Sequence, residues 1–167
     1  MKKEVGIYSF GYWGWGPCIP ALHNFYSKKN KEDRGRGIKW IDTRIRRSVR
    51  SEGFRGDNPR RQFGSRNYEW IPEFGNRSIK TGGNRIVIDN FEKGFEILLQ
   101  EIKKAQHTKR DLILFCSCPN KKYKKCHRTV LIRMLQRKRM RGVQVYGEHP
   151  LNTGFFKGRV CTMIKGS

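Results

Sequence analysis

Asp111-Leu112-Ile113-Leu114-Phe115-Cys116 is the stretch that decides the fold. A near-continuous apolar run of this length reads as a strand buried on both faces, the pattern of a parallel sheet covered by helices. Upstream of it, Phe91, Phe95, Leu98, Leu99 and Ile102 recur at i, i+4, i+7, i+8 and i+11. That spacing predicts an amphipathic helix, with Asp89 or Asn90 as its cap. Downstream, Val130, Leu131, Met134 and Leu135 predict a second helix over about 126–139, ended by Gly142, and Val143-Gln144-Val145-Tyr146 reads as the next strand.

Further out, residues 4–10 read as a first strand, Ile38 to Asp42 as a second and Tyr68 to Pro72 as a short third. A short helix is expected over about 20–28, and Arg85-Ile86-Val87-Ile88 is expected as a strand or turn. Strands alternate with helices, so the expected fold is a single three-layer α/β domain over 1–167, with a mostly parallel sheet flanked by helices. The Arg-rich segment at about 44–67 is too long and polar for a simple connector and reads as a functional or mobile loop. The tail from about 151 carries no pattern.

The charge sets the expectation for partners. The chain has 37 Lys and Arg against 14 Asp and Glu, a net charge of +23. Self-repulsion on that scale opposes a compact state unless a polyanion offsets it, and nucleic acid binds such chains by counterion release. Aromatic residues at 12% exclude a disordered chain. The amino end lacks the unbroken apolar stretch of a signal peptide, and no run is long enough to cross a membrane. With five cysteines, an odd number, the expectation is a cytoplasmic protein with reduced thiols.

In an open parallel sheet, ligands bind beyond the carboxyl ends of the strands. The residues delivered there define the candidate site. Asp42, Glu73 and Cys126 are the catalytic candidates, two carboxylates for acid–base work and one thiol for nucleophilic attack. Cys126-His127-Arg128 opens a helix, whose partial positive charge and free N–H groups favour anions and thiolates. Arg44, Arg46, Arg47, Lys124, Lys125, His127 and Arg128 are the phosphate-binding candidates. Tyr12, Trp13 and Trp15 form a Gly-rich aromatic loop suited to stacking on an unpaired base, or alternatively to lying as a hydrophobic lid over the core. An alternative reading takes Cys116, Cys118, Cys126 and His127 as zinc ligands, although Cys-x-Cys-x7-Cys-His is not the usual paired knuckle. Asp42 and Arg44 also admit a structural reading, as an ion pair that fixes the loop after the second strand.

Several of these elements occur together in a recognisable order. Ile7-Tyr8-Ser9-Phe10-Gly11, Trp40-Ile41-Asp42-Thr43-Arg44, Asn58-Pro59, Tyr68-Glu69-Trp70-Ile71-Pro72-Glu73-Phe74-Gly75 and Leu114-Phe115-Cys116 leading to Cys126-His127-Arg128 resemble the uncharacterised "domain of unknown function 488" family. The resemblance spans about 5–146 and implies a compact α/β fold with these motifs around one pocket. It implies no established reaction. Where that family usually has Gly-His-Ser after its first strand, this chain has Gly11-Tyr12-Trp13.

The leading expectation is an enzyme acting on DNA, RNA or a nucleotide, by base–sugar bond cleavage or exchange at Asp42 and Glu73 or by attack of Cys126. The second is a non-catalytic nucleic-acid-binding protein with structural or zinc-bound cysteines. The third is a protein that captures a small phosphorylated ligand.

Overall fold

The structure is a computed structural model that describes residues 4–12, 15, 18, 21, 24, 37–48, 52–82, 85–118 and 126–149. Five strands form one all-parallel sheet: β1 Val5–Gly11, β2 Gly37–Asp42, β3 Tyr68–Trp70, β4 Arg110–Cys116 and β5 Val143–Glu148, in the order β3-β2-β4-β1-β5. The apolar run that opened the sequence reading is β4, the central strand. Its register sets Ile113 beside both Trp40 and Tyr8, and Phe115 beside both Asp42 and Phe10.

Four α-helices are described: α1 Asn58–Phe63, α2 Ser78–Thr81, α3 Phe91–Thr108 and α4 His127–Arg137. Asn90 caps α3 by accepting a hydrogen bond from Lys93 N, as expected from its side chain at that position. The Arg85–Ile88 stretch is not a strand; only Ile88 makes an isolated bridge, to Asn76. β3 ends at Trp70, because Pro72 has no N–H to extend a ladder. The helix expected over 20–28, the lysines at 121–125 and the tail from 151 lie largely or wholly outside the described residues.

Alternation along the strands sends two separate cores to the two faces of the sheet. On one face, here face A, Phe10, Tyr12, Trp15, Trp40, Phe54, Phe63, Tyr68, Ile113 and Phe115 pack into an aromatic core. On the other, face B, Ile7, Ile41, Leu112 and Leu114 meet Leu98 and Ile102 of α3 and Leu131 and Leu135 of α4. The segment after β2 therefore closes over face A, whereas β4 is followed by α4 on face B. Connections leaving adjacent strands for opposite faces create a crevice at their carboxyl ends. One glycine locks this edge: a Cβ on Gly75 would lie 2.5 Å from Ile45 N, so only glycine lets the turn after β3 press on the chain leaving β2. Among the described residues no helix is long and apolar enough to cross a membrane.

Candidate functional site

The β2–β4 edge carries two side-chain clusters, one on each face. On face A, Asp42 and Arg44 are buried and paired side by side. Arg44 Nε donates to Asp42 Oδ1 at 2.8 Å and Nη2 donates to Oδ2 at 2.5 Å. The Arg44 backbone N–H adds a third bond to Oδ1 at 3.1 Å, and Tyr68 Oη donates to Oδ2 at 2.8 Å. Four donors thus fill the carboxylate. Arg44 Nη1 donates in turn to Phe54 O at 2.6 Å and Tyr12 Oη at 3.2 Å. Burial opposes the Arg44 charge, but the bonds and charge of Asp42 outweigh it and raise the guanidinium pKa further. Burial, reinforced by the Asp42 charge, pushes the Tyr68 phenol up, so it stays a donor. The alternation Asp42, Thr43, Arg44 thus gives the ion pair anticipated as the structural reading of these two residues.

Two further expectations change on this face. Tyr12 is stacked on Phe54 with centroids 3.6 Å apart, and Trp15 is fully buried against Phe10, so both belong to the core and neither offers a ring to a base. Of the two readings of this loop they take the hydrophobic lid; their burial comes from the aromatic face of β4, which needs covering. Trp13 lies outside the described residues. Arg46 is exposed, and Arg47 pairs with Asp57 at 2.5 Å and lies 4.1 Å from the Trp70 ring centroid.

On face B, Cys116, Cys118, Cys126 and His127 bring three sulfurs and one ring nitrogen within 4.8 Å of one another. Cys116 closes β4; Cys118 follows two residues later on the same face; Cys126 is the N-cap residue of α4 and His127 its first residue. Cys116 Sγ and Cys126 Sγ are 3.4 Å apart, and Cys118 N donates to Cys116 Sγ at 3.3 Å.

The neighbours of His127 fix its tautomer. Thr43 Oγ1 gives its hydrogen to Phe115 O at 2.9 Å. Toward His127 Nε2, 3.2 Å away, that hydroxyl can only accept, and so can Thr43 O, also at 3.2 Å. Nε2 therefore carries the proton, and Nδ1 faces Cys126 Sγ at 3.9 Å. A histidine whose outer N–H is held by a backbone carbonyl while the other nitrogen faces thiols is posed as a metal ligand.

Hydrogen bonds from Cys116 and Cys118 hold the Cys126 thiol far below its ordinary pKa, against burial and with help from the Arg128 charge. Burial, with the adjoining sulfurs, pushes Cys116 well up. For Cys118 the bond from Cys116 favours the thiolate, yet Cys126 and burial push it up to about 11. One negative charge is thus centred on Cys126. Arg128 is fully buried beside it, and its Nη1 donates to Glu148 Oε2 at 3.0 Å. Glu148 also accepts from Ser9 Oγ at 3.0 Å and Gly11 N at 3.2 Å, tying α4 to the ends of β1 and β5. Arg128 is in this way a buried strut rather than an open phosphate fork.

Glu73 joins neither cluster. Its Oε1 accepts from Lys93 Nζ of α3 at 2.8 Å. Burial works to raise its carboxyl, but the Lys93 ammonium outweighs it and holds the group below its ordinary pKa. Among the described residues, Asp42, Glu73 and Cys126 therefore have three separate sets of partners. The sequence reading missed Thr43 as part of the site; it placed Glu148 at this edge and Tyr68 among the rings of the Arg-rich segment, but without the partners they hold here. Thr43 was legible from strand alternation, which points it away from its neighbours Asp42 and Arg44. Tyr68 and Glu148 depend on strand order, which no local pattern encodes. Cys18 is disulfide-bonded, which departs from the expectation of five reduced thiols. No family model matches the chain, and no curated protein and no solved structure matches it either.

Proposed function

We propose that this protein binds nucleic acid through the exposed side of α4, and that a zinc ion held by Cys116, Cys118, Cys126 and His127 anchors that helix. The observation that carries the reading is the double role of α4. It begins at two of the four candidate ligands, and its outer face and following turn expose Arg133, Arg137, Lys138, Arg139 and Arg141. Of these, Lys138 reaches Glu92 at 3.2 Å. Polyanion backbones are gripped by such a surface through charge rather than sequence.

The donor set fits zinc. Three thiols and one imidazole fill a tetrahedral shell and leave no open position, which is the pattern of a structural site. Bound zinc would supply charge neutralisation for the thiolates and a rigid link between the end of β4 and the start of α4. The chain's own contribution is the orientation of Nδ1 by Thr43 and the N–H bond from Cys118 to Cys116.

The test has two arms. Elemental analysis of the purified protein is expected to give about one zinc per chain, the stoichiometry of one closed site. Fluorescence anisotropy with labelled DNA and RNA oligonucleotides is expected to give binding that weakens steeply with salt, the slope counting the phosphates neutralised. Absence of binding at low salt would sink the nucleic-acid reading.

One observation favours a second reading. Cys126 carries the lowest thiol pKa of its cluster and sits at a helix start beside an imidazole, as an activated nucleophile does. Metal-free protein that reacts at Cys126 with an electrophile, and turns over a nucleotide substrate, would favour this enzyme over the zinc-anchored binder.

A further inference from the structure

A second cationic feature lies at the opposite end of the sheet, and of its residues only Arg66 belongs to a stretch that the sequence singled out, the Arg-rich segment at about 44–67. Lys39 at the start of β2, Arg110 at the start of β4, Arg66 ahead of β3, and Lys104, Ala105 and Thr108 in the last turns of α3 line a cavity of about 340 Å³. That volume stands at the lower end of small-molecule sites, roughly 300–1,000 Å³. Four of its six lining residues are cations.

Their charges are unequally spent. Lys39 pairs with Glu101 and, at 3.7 Å, with Glu69; Lys104 pairs with Glu101 at 2.6 Å. Burial works to raise the Glu101 carboxyl, but the Lys104 and Lys39 ammoniums outweigh it and hold it below its ordinary pKa. Arg66 and Arg110, by contrast, have no carboxylate partner among the described residues.

Arg110 is also held in place. Its Nη1 donates to Asn67 Oδ1 at 2.6 Å and to Arg66 O at 3.1 Å. Its aliphatic stem crosses Gly37 so closely that a Cβ there would lie 3.0 Å from Arg110 Cγ. The recorded bonds use Nη1 alone, which leaves the Nε–Nη2 edge, the fork that grips two oxygens of one phosphate. Pre-positioning lowers the entropy lost on binding. The carboxyl end of α3 adjoins the cavity and its dipole opposes an anion. Thr108 Oγ1 returns its hydrogen to Lys104 O at 2.8 Å, which covers one of the exposed carbonyls there.

We propose that this cavity is a phosphate-binding site, with Arg110 and Arg66 as its principal grips. The phosphate is either a monoester or pyrophosphate group of a small ligand or a diester of a nucleic-acid backbone; only the second source rests on the function proposed above. In that case the chain contacts polyanion at both ends of its sheet.

Calorimetric titration of the full chain with inorganic pyrophosphate, with a mononucleotide and with a single-stranded oligonucleotide tests the site. Pyrophosphate should bind saturably, and Arg110→Gln should weaken it about tenfold or more, the loss expected for a hydrogen bond to a charged group. Arg66→Gln keeps the carbonyl that positions Arg110 and should weaken binding by a similar factor without touching the fold. Arg137→Gln, on α4, should change pyrophosphate binding less than twofold. No saturable pyrophosphate binding, or equal losses in all three variants, would overturn the proposal. Oligonucleotide binding indifferent to Arg66 and Arg110, beside pyrophosphate binding that depends on them, would assign the site to a small ligand and leave the α4 reading intact. Pyrophosphate or mononucleotide binding without oligonucleotide binding would do the reverse.

Discussion

The two clusters at the carboxyl edge stand back to back and treat their polar atoms in opposite ways. On face A each strong donor meets an acceptor inside the cluster: Arg44 and Tyr68 saturate Asp42, and Phe54 O and Tyr12 take the rest of the guanidinium. On face B three sulfurs and a nitrogen point at one another. Soft acceptors gathered in that way could all face one cation, although hydrogen bonds favour one thiolate. Residue types alone do not separate the two cases, since Asp-x-Arg and Cys-His-Arg both read as chemistry in a sequence. What separates them is whether the lone pairs are already spent. A spent cluster fixes a loop, and an unspent one can take a ligand.

That contrast breaks most sharply at Asp42. Asp42→Ala leaves the buried Arg44 guanidinium without a counter-charge and should cost about 3–5 kcal/mol of folding stability. Urea unfolding followed by tryptophan fluorescence measures it. Nucleic-acid affinity of the folded fraction should change little, because Asp42 faces away from α4. A variant as stable as the parent would show that face A is not a closed network.

Face B predicts a loss of metal instead. Cys126→Ser should lower bound zinc from about one per chain to near zero, as expected when one ligand of a closed site is removed. The parent's thermal midpoint should fall when a chelator is added, while that of Cys126→Ser should not respond. A parent without metal and indifferent to chelator would remove the zinc anchor and return Cys126 to the nucleophile reading.

How much of this was legible follows from range. β4, α3 and α4 are written in local periodicity, and each is found where the apolar spacing places it. The four cysteine and histidine ligand candidates were also legible, because two belong to one strand end and two to one helix start. The partition of the motifs between two faces was not, since it depends on which strands adjoin β4. The choice between stacking loop and lid for Tyr12 and Trp15 was open for the same reason: glycine-flanked aromatics look exposed until the opposing surface of Phe115 and Phe54 is known. The cavity at Lys39, Arg66 and Arg110 joins residues from three distant segments, of which only Arg66 lies in a stretch that the sequence singled out.

Thr43 sharpens the comparison from its middle, since its backbone belongs to the Asp42 loop and its side chain to the face of His127. Thr43→Val removes the hydroxyl that bonds Phe115 O and His127 Nε2, yet leaves the Thr43 carbonyl in place. Zinc affinity, read by competition with a chelating dye, should fall about tenfold, at the mild end of losses for outer partners of metal ligands. The Asp42–Arg44 pair should be untouched, so the unfolding midpoint of zinc-loaded protein should move by no more than about one hydrogen bond's worth, ~1 kcal/mol. A large fall in stability with unchanged zinc affinity would mean that Thr43 serves the sheet and not the cluster.

The smallest effect concerns Glu73, the carboxylate that neither cluster holds. Its folded pKa lies below the ordinary carboxylate value of about 4.3. A depressed folded pKa contributes stability above the unfolded value, and that contribution is lost as pH falls through the folded one. The parent should therefore unfold at slightly higher urea than Glu73→Gln near neutral pH, and the difference should vanish under acid conditions below the ordinary carboxylate range. Lys93→Gln should remove most of the same difference, since Lys93 supplies the depression. The reverse trend, with the parent gaining on Glu73→Gln as pH falls, would mean a carboxyl that holds its proton. Such a group is poised to act as a general acid, and Glu73 would then belong with the unspent side of the comparison.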